Sequence, residues 1–258
     1  MILTIDAGNT NIAVGLVRDR ELVHQWRLAS RTQRTPDEVL LHLRELFAFD
    51  DVDAFSVRAA VVSSVVPALT TAVHDGVARL LGIDPVVVSA SLDLPVSILT
   101  DDPAEVGGDL IANAAGGFAI AGGAAIVVDF GTALTFTAVD ADACVRGVAI
   151  APGVTTGVNG LISHTAALPM VNLEPPERYI GTNTVASLRS GVVNGYAGLV
   201  DAMVTGIAAE LAPAQPLVLA TGGEAGLIAG RCTKVARVEP WLTLRGLYEI
   251  GMRTTAAR

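Results

Sequence analysis

The sequence predicts an α/β protein made of two similar subdomains with a cleft between them. Strand-like apolar runs alternate with stretches of helical spacing along all 258 residues. Residues 2–17, ILTIDAGNTNIAVGLV, also resemble residues 126–139, IVVDFGTALTFTAV. Each reads as a strand, an Asp-x-Gly, a small polar turn and a second strand. The two aspartates, Asp6 and Asp129, stand 123 residues apart, close to half the chain, as a duplicated unit requires.

The elements follow in order. Residues 1–5, 12–17 and 22–28 read as three short strands, with turns at 7–10 and 18–19. Residues 36–49 carry Val39, Leu40, Leu43 and Phe47 on one helical face, and Pro36 suits a first helical turn. A buried strand is expected over 57–62, a helix over 67–81 and a strand over 85–88. Residues 89–106 are less regular, and 106–119 are helical again. Strands follow at 125–128, 134–139 and 144–151. Pro152 opens a helix to His164, and 167–180 is a loop with three prolines. The longest helical stretch is 182–211, despite its four glycines. A strand at 217–220, a helix over 222–229 and a closing helix over 242–252 complete the chain. The first subdomain is expected to span 1–116 and the second 117–258.

Composition excludes several classes of function. Apolar residues make up 51% and charged residues 17%, against a usual share of about 25% charged, so most of the chain is not disordered. The net charge of −9 gives no electrostatic footprint for nucleic acid or anionic lipid. Lys234 is the sole lysine, which excludes both a Walker P-loop and the Lys–Glu pair of protein kinases. His24, His42, His74 and His164 show no metal-ligand spacing. Cys144 and Cys232 form no paired pattern, which points to a reducing, cytoplasmic compartment. Asp6 leaves no room for an apolar leader. The longest apolar stretch, residues 116–128, is shorter than the roughly 20 residues a membrane span needs.

Three turns carry the chemistry. The first, Asp6-Ala7-Gly8-Asn9-Thr10-Asn11, joins two strands. Gly8 permits close backbone approach, and the amides of such a turn can form a concave donor nest for phosphate oxygens. Asp6 at the strand end can hold a divalent ion through oxygen or water. An ordinary hairpin turn fits the same residues. The second turn is Asp129-Phe130-Gly131-Thr132-Ala133. The third, Ala220-Thr221-Gly222-Gly223, lies between a strand and a helix, where glycines let a nucleotide rest on the backbone. Read alone, it is also a helix capped by Thr221.

In this chain order the three turns resemble the acetate kinase–sugar kinase–Hsp70–actin superfamily. More specifically, the chain resembles the type III pantothenate kinase family. The matching stretches are DAGNTN (6–11), VVSSVVPALT (61–70), GGDLIANAAGG (107–117), VVDFGTALTF (127–136), GVAIAPGV (147–154), TAALP (165–169), IGTNTVASLRSGVVNGYAGLVDAM (180–203), TGG (221–223) and LTLRGL (242–247). The resemblance implies a duplicated actin-like, ribonuclease H-like fold with the nucleotide in the interdomain cleft. It implies ATP-dependent phosphorylation of a primary hydroxyl, by analogy pantothenate in coenzyme A biosynthesis, by a cytoplasmic homodimer using Mg²⁺ and K⁺ or another monovalent cation. Asp6, Gly8, Asn9, Thr10 and Asn11 match the ATP-phosphate loop, with Asp6 also serving Mg²⁺. Thr132, Gly222 and Gly223 match nucleotide contacts, and Asp129 the monovalent-cation residue. Asp109 matches the catalytic carboxylate; by itself it reads as an acidic residue favoured at a helix N-terminus. Thr100, Gly107, Gly108, Leu110 and Thr184 fall on the acceptor side.

The acceptor side is also where the chain departs from the family. The family's Gly-x-Asp-Arg reads Gly107-Gly108-Asp109-Leu110, and its Tyr-x-x-Pro reads Thr100-Asp101-Asp102-Pro103. Its Gly-Gly before Ile-x-Pro-Gly reads Arg146-Gly147. Leucine cannot replace a guanidinium toward a carboxylate. The sequence therefore leaves open a pantothenate kinase using another cation such as Arg189, a kinase of a nucleoside, sugar or other alcohol, and a nucleotide-binding regulator without turnover. Trp26, Trp241, Phe47 and Phe49 are expected in packing, and His164 at a helix end.

Overall fold

The structure is a computed structural model that describes residues 1–165 and 168–256. The chain groups into two compact units, Met1–Ile120 together with the closing helix, and Ala121–Trp241.

In the first unit, β1 (Ile2–Ala7), β2 (Asn11–Arg18) and β3 (Glu21–Ala29) form an antiparallel meander. α1 (Pro36–Phe49) follows, then β4 (Ala59–Ser64), α2 (Pro67–Leu81), β5 (Val86–Val87), the two-residue β6 (Ser97–Ile98) and α3 (Gly108–Ala121). β4 runs parallel to β1, and the sheet order is β3-β2-β1-β4-β5. The reading of three short strands and two helices holds, and each boundary has a local cause. Thr35 caps α1 in a reciprocal capping box with Glu38, and Pro36 supplies the first turn. α2 ends at Gly82, whose φ of +67° is the left-handed cap that glycine adopts without strain. Leu3, Ile5, Leu16, Leu43, Leu69 and Val62 form the core of this unit.

The second unit repeats the plan. β7 (Ala125–Phe130), β8 (Ala133–Val139) and β9 (Cys144–Pro152) form an antiparallel meander. α4 (Val154–Ser163), α5 (Thr184–Glu210), β10 (Leu217–Thr221), α6 (Ala225–Ile228) and β11 (Arg237–Val238) follow. β10 is parallel to β7 and β11 to β10, so the order β9-β8-β7-β10-β11 matches β3-β2-β1-β4-β5. The duplication expected from the two Asp-x-Gly hairpins is thus present in the strand topology. Its core gathers Ile126, Val128, Phe130, Phe136, Val200 and Ile228. A fully buried side chain such as Phe136 contributes about 1.5–3 kcal/mol.

Several details differ from expectation. The helix expected to open at Pro152 begins at Val154, because Pro152 still pairs in β9 and Gly153 is the N-cap. The helix expected over 222–229 is the single turn α6 followed by a 3₁₀ turn, Ala229–Arg231. Residue 116, the expected boundary, lies inside α3, and the last helix, α7 (Leu242–Ala256), groups with the first unit. There a Cβ at Gly246 would overlap the Ala112 carbonyl, so α7 and α3 meet backbone to backbone. Phe49 is 84% exposed and does not pack, whereas Trp26 stacks on His24 at 5.7 Å, meets Phe47 at a tilt with ring centres 5.8 Å apart, and donates from Nε1 to Asp50 at 2.6 Å. His164 is the C-cap of α4. Of the stretch 165–169, Ala166 and Ala167 lie outside the described residues.

Candidate functional site

The first turn sits between β1 and β2. Its Gly8 N–H donates to the Asn11 carbonyl at 3.0 Å, closing the bend. Ser30, just past β3, fastens it from the side. Its hydroxyl donates to the Gly8 carbonyl at 2.5 Å, and its N–H donates to the Thr10 carbonyl at 2.9 Å. Asn9, Thr10 and Asn11 are exposed at the tip, while Asp6 is half-buried at its base. No local signal marks Ser30; only the register of β2 with β3, which pairs Asn11 with Ala29, places it there.

Asp109 occupies the first turn of α3. Its Oδ1 accepts from the Leu110 N–H at 2.9 Å, so the carboxylate folds back on its own helix terminus. A Cβ at Gly107 would lie 2.5 Å from that same oxygen, and glycine therefore makes room for the carboxylate. A Cβ at Gly108 would lie 3.2 Å from Ser63 Oγ and 3.3 Å from the Val88 carbonyl, so α3 starts close against β4. Burial pushes the Asp109 carboxyl above its ordinary range, outweighing the opposing hydrogen bonds from the backbone. Leu110 is half-buried. Thr100 is also half-buried, and its hydroxyl has no partner among the described residues.

In the second unit, Asp129, Gly131, Thr132, Gly222 and Gly223 lie near one another. Gly131 N–H donates to the Ala133 carbonyl at 3.1 Å, which makes the bend between β7 and β8. The Thr132 carbonyl accepts from Gly153 N–H at 3.2 Å and from the Thr156 hydroxyl at 2.7 Å. Gly222 has φ +94°, and a Cβ there would lie 2.5 Å from Asp129 Oδ1 and 2.6 Å from the Phe130 carbonyl. The Thr-Gly-Gly turn thus needs glycine to lie against Asp129. Thr221 is not the cap of α6; Glu224 holds that position and bonds the Thr155 hydroxyl. Gly153, Thr156 and Glu224 were missed because each reaches the Phe130–Thr132 bend from a distant part of the chain.

Thr184 begins α5, where Asn183 caps by accepting from Ala186 N–H at 2.9 Å. Thr184 lines a cavity of about 490 Å³ with Gly157, Leu161, Leu188 and Tyr196. The Tyr196 hydroxyl donates toward the carbonyls of Pro152 and Gly153, each at 3.1 Å. Arg189, a candidate replacement cation, donates from Nε to the Asn172 carbonyl at 2.9 Å and pairs with Glu174 at 3.0 Å. From α5 it is thus committed to the preceding loop.

The site residues therefore fall into three groups. Asp6–Asn11 and the turn 107–110 belong to the first unit, the Asp129–Gly222 group to the second, and Thr184 stands at the start of α5. Among the described residues no cluster of three or more His, Cys, Asp or Glu is arranged to hold a metal.

Comparison with known proteins adds the following. A family model described as type III pantothenate kinase matches residues 2–206. A type III pantothenate kinase of Moorella thermoacetica is 41% identical over 255 residues, covering 99% of this chain and all of that protein. One from Roseiflexus sp. is 41% identical over 247 residues, 96% of each chain. Two solved structures are similar in fold. The activator of 2-hydroxyisocaproyl-CoA dehydratase from Clostridium difficile, with bound ADPNP, has a TM-score of 0.60 at 13% identity and covers 99% of this chain and 94% of that one. Component A of the (R)-2-hydroxyglutaryl-CoA dehydratase of Acidaminococcus fermentans has a TM-score of 0.58 at 16% identity, covering 100% and 99%. The chain thus shares the duplicated, two-subdomain fold of these proteins.

Proposed function

The chain belongs to the type III pantothenate kinase family, and from that premise we propose that it phosphorylates the primary hydroxyl of pantothenate with ATP, in coenzyme A biosynthesis. The observation that carries this reading is 41% identity along 99% of the chain to a protein of that name.

The residue roles follow from the chemistry of phosphoryl transfer, which is mostly positioning and charge stabilisation. With the Gly8 N–H spent on closing the bend, the turn offers the Asn9, Thr10 and Asn11 residues at its tip to phosphate oxygens. Thr132, Gly222 and Gly223 are likewise assigned to the nucleotide. Asp109 takes the proton of the acceptor hydroxyl at its carboxylate oxygen, and its elevated pKa strengthens it as a base. Mg²⁺, when bound, neutralises phosphate charge. It ordinarily takes one or two carboxylates, several waters and the substrate phosphates rather than a cage of side chains. A half-buried Asp6 at a strand end fits that demand. Asp129 is assigned to the monovalent cation, beside the main-chain carbonyl of Phe130, an oxygen donor of the right kind.

On the acceptor side, the unpartnered Thr100 hydroxyl, the glycines 107 and 108, Leu110 and Thr184 are assigned to pantothenate. The protein is proposed to act as a cytoplasmic homodimer. Tyr179 and Ile180 before α5 are 80% and 81% exposed, and Leu161, Val185 and Leu199 are exposed on α4 and α5. So much apolar surface on one segment suits a second copy of the chain. α5 is long and apolar enough to cross a membrane by length and composition alone. Its Leu188, Val193, Ala197, Val200 and Val204 instead belong to the buried face of the second unit.

Leu110 favours one second reading, a kinase of the same fold acting on an alcohol without a carboxylate. An ADP-release assay with pantothenate, nucleosides, sugars and hydroxy acids separates the two. ADP formed with pantothenate is the expected result. Release with another alcohol alone favours the second reading, and nucleotide binding without release from any acceptor overturns both.

A further inference from the structure

One matching stretch, residues 61–70, has no role in the account above, yet it contains an unusual buried group. β4 is apolar from Ala59 to Val62 and then places Ser63 in the interior at 0% exposure. The Ser63 hydroxyl has no hydrogen-bond partner among the described residues. Buried hydroxyls are nearly always paired, and alanine would fill a strand interior without that penalty. Its position gives the reason for keeping it. β1 and β4 are parallel neighbours, and Asp6 is in register with Ser63, so both residues sit side by side at the carboxyl ends of their strands. Ligands in α/β sheets bind beyond those ends. On its other flank, Ser63 Oγ lies 3.2 Å from where a Gly108 Cβ would be, under the first turn of α3 that carries Asp109. The unsatisfied hydroxyl therefore stands between the carboxylate assigned to the metal–phosphate array and the backbone that holds the assigned base.

We propose that Ser63 is a positioning residue of the nucleotide site, its hydroxyl completing the hydrogen bonds of a phosphate oxygen or metal-bound water brought next to Asp6. This rests on the kinase reading. The hydroxyl is poised for an oxygen ligand because it has nothing to release before bonding it. Neither flanking glycine could be replaced without crowding, since a Cβ at 107 meets Asp109 and one at 108 meets Ser63 itself.

The test compares wild type with Ser63→Ala. Thermal unfolding is measured without ligand and with Mg·ATP, and steady-state constants are measured for ATP and for pantothenate. The variant is expected to be as stable as wild type, or more so, without ligand. Its Mg·ATP-induced rise in Tm should shrink, and its KM for ATP should increase roughly tenfold, the usual loss for one hydrogen bond to a charged group. The KM for pantothenate should stay within about twofold of wild type. Ser63→Cys, similar in shape but a weak donor, repeats the measurements if the alanine variant misfolds. An unchanged Mg·ATP shift together with an unchanged KM for ATP in the folded variants overturns the inference. If wild type itself shows neither a Mg·ATP shift nor ADP release, the kinase reading fails instead.

Discussion

Replacing Gly222 by alanine tests the turn on which the second-unit site depends. The substitution places a methyl group 2.5 Å from Asp129 Oδ1 and 2.6 Å from the Phe130 carbonyl. The carboxylate can rotate away, but the Phe130 backbone is fixed in β7, so the turn itself has to shift. Two costs add. A non-glycine residue at φ +94° loses of order 1–2 kcal/mol. Overpacking against a buried backbone adds about 1–3 kcal/mol. Together they lower Tm by roughly 5–15 °C in a chain of this size. Gly223→Ala is the matched control, because a Cβ there meets nothing within 4 Å and its φ is not positive. Thermal unfolding by circular dichroism of both purified variants, without ligand, reads the difference directly. Equal Tm values for the two would refute the argument that Gly222 is needed to bring the Thr-Gly-Gly turn against Asp129.

Other predictions follow from the first unit. Asp109→Asn should lower kcat by roughly 10²–10⁴-fold and leave ATP affinity within a small factor; near-normal turnover would remove Asp109 as the base. Because burial raises its pKa, the acidic limb of the kcat/KM profile should lie above the ordinary carboxylate value. Activity then falls as pH drops through that raised value, and a limb near pH 4 would contradict the assignment. Leu110→Arg should tighten binding of carboxylate-bearing acceptors, measured by calorimetry, and no change would argue against placing residue 110 in the acceptor site. When protonated, His74 donates from Nδ1 to Asp75 at 2.9 Å and from Nε2 to Asp84 at 3.1 Å, and the Asp75 bond leads in raising its pKa. A raised histidine stabilises the fold most fully below about pH 6.5, its unfolded value, and the contribution fades as pH rises through the higher folded value. His74→Ala should therefore lower Tm more at pH 6 than at pH 9, by an amount typical of a surface ion pair, about 0.2–1 kcal/mol. An equal loss at both values would exclude charge as the cause.

Much of the second unit's plan was readable because its signals are local. The apolar alternation of β7 and β8, interrupted by Asp129-Phe130-Gly131, prescribes a hairpin whatever surrounds it. Its likeness to the β1–β2 stretch then implies the whole repeated topology. Signals that depend on distant partners were not readable. Ser30 supports the first turn only because β3 returns beside β2. Phe49 looks like the next packing residue of α1, yet Phe47 ends the buried face and Phe49 points outward. Gly222 reads from sequence as nucleotide-facing; its contact with Asp129 depends on β10 lying beside β7. Ser63 sits in a run of small and apolar residues, and nothing in that run says that its hydroxyl lacks a partner.

The closing helix gives the protein an order of assembly. The chain leaves the first unit at residue 120, builds the second, and returns only with α7, its last fifteen described residues. On a ribosome, residues 121–241 emerge complete while the first sheet still lacks the helix that covers it. α7 must therefore be made before the earliest strands can be sealed, and a chain cut short after Trp241 would leave Ile2, Val61 and Ala112 facing water rather than α7.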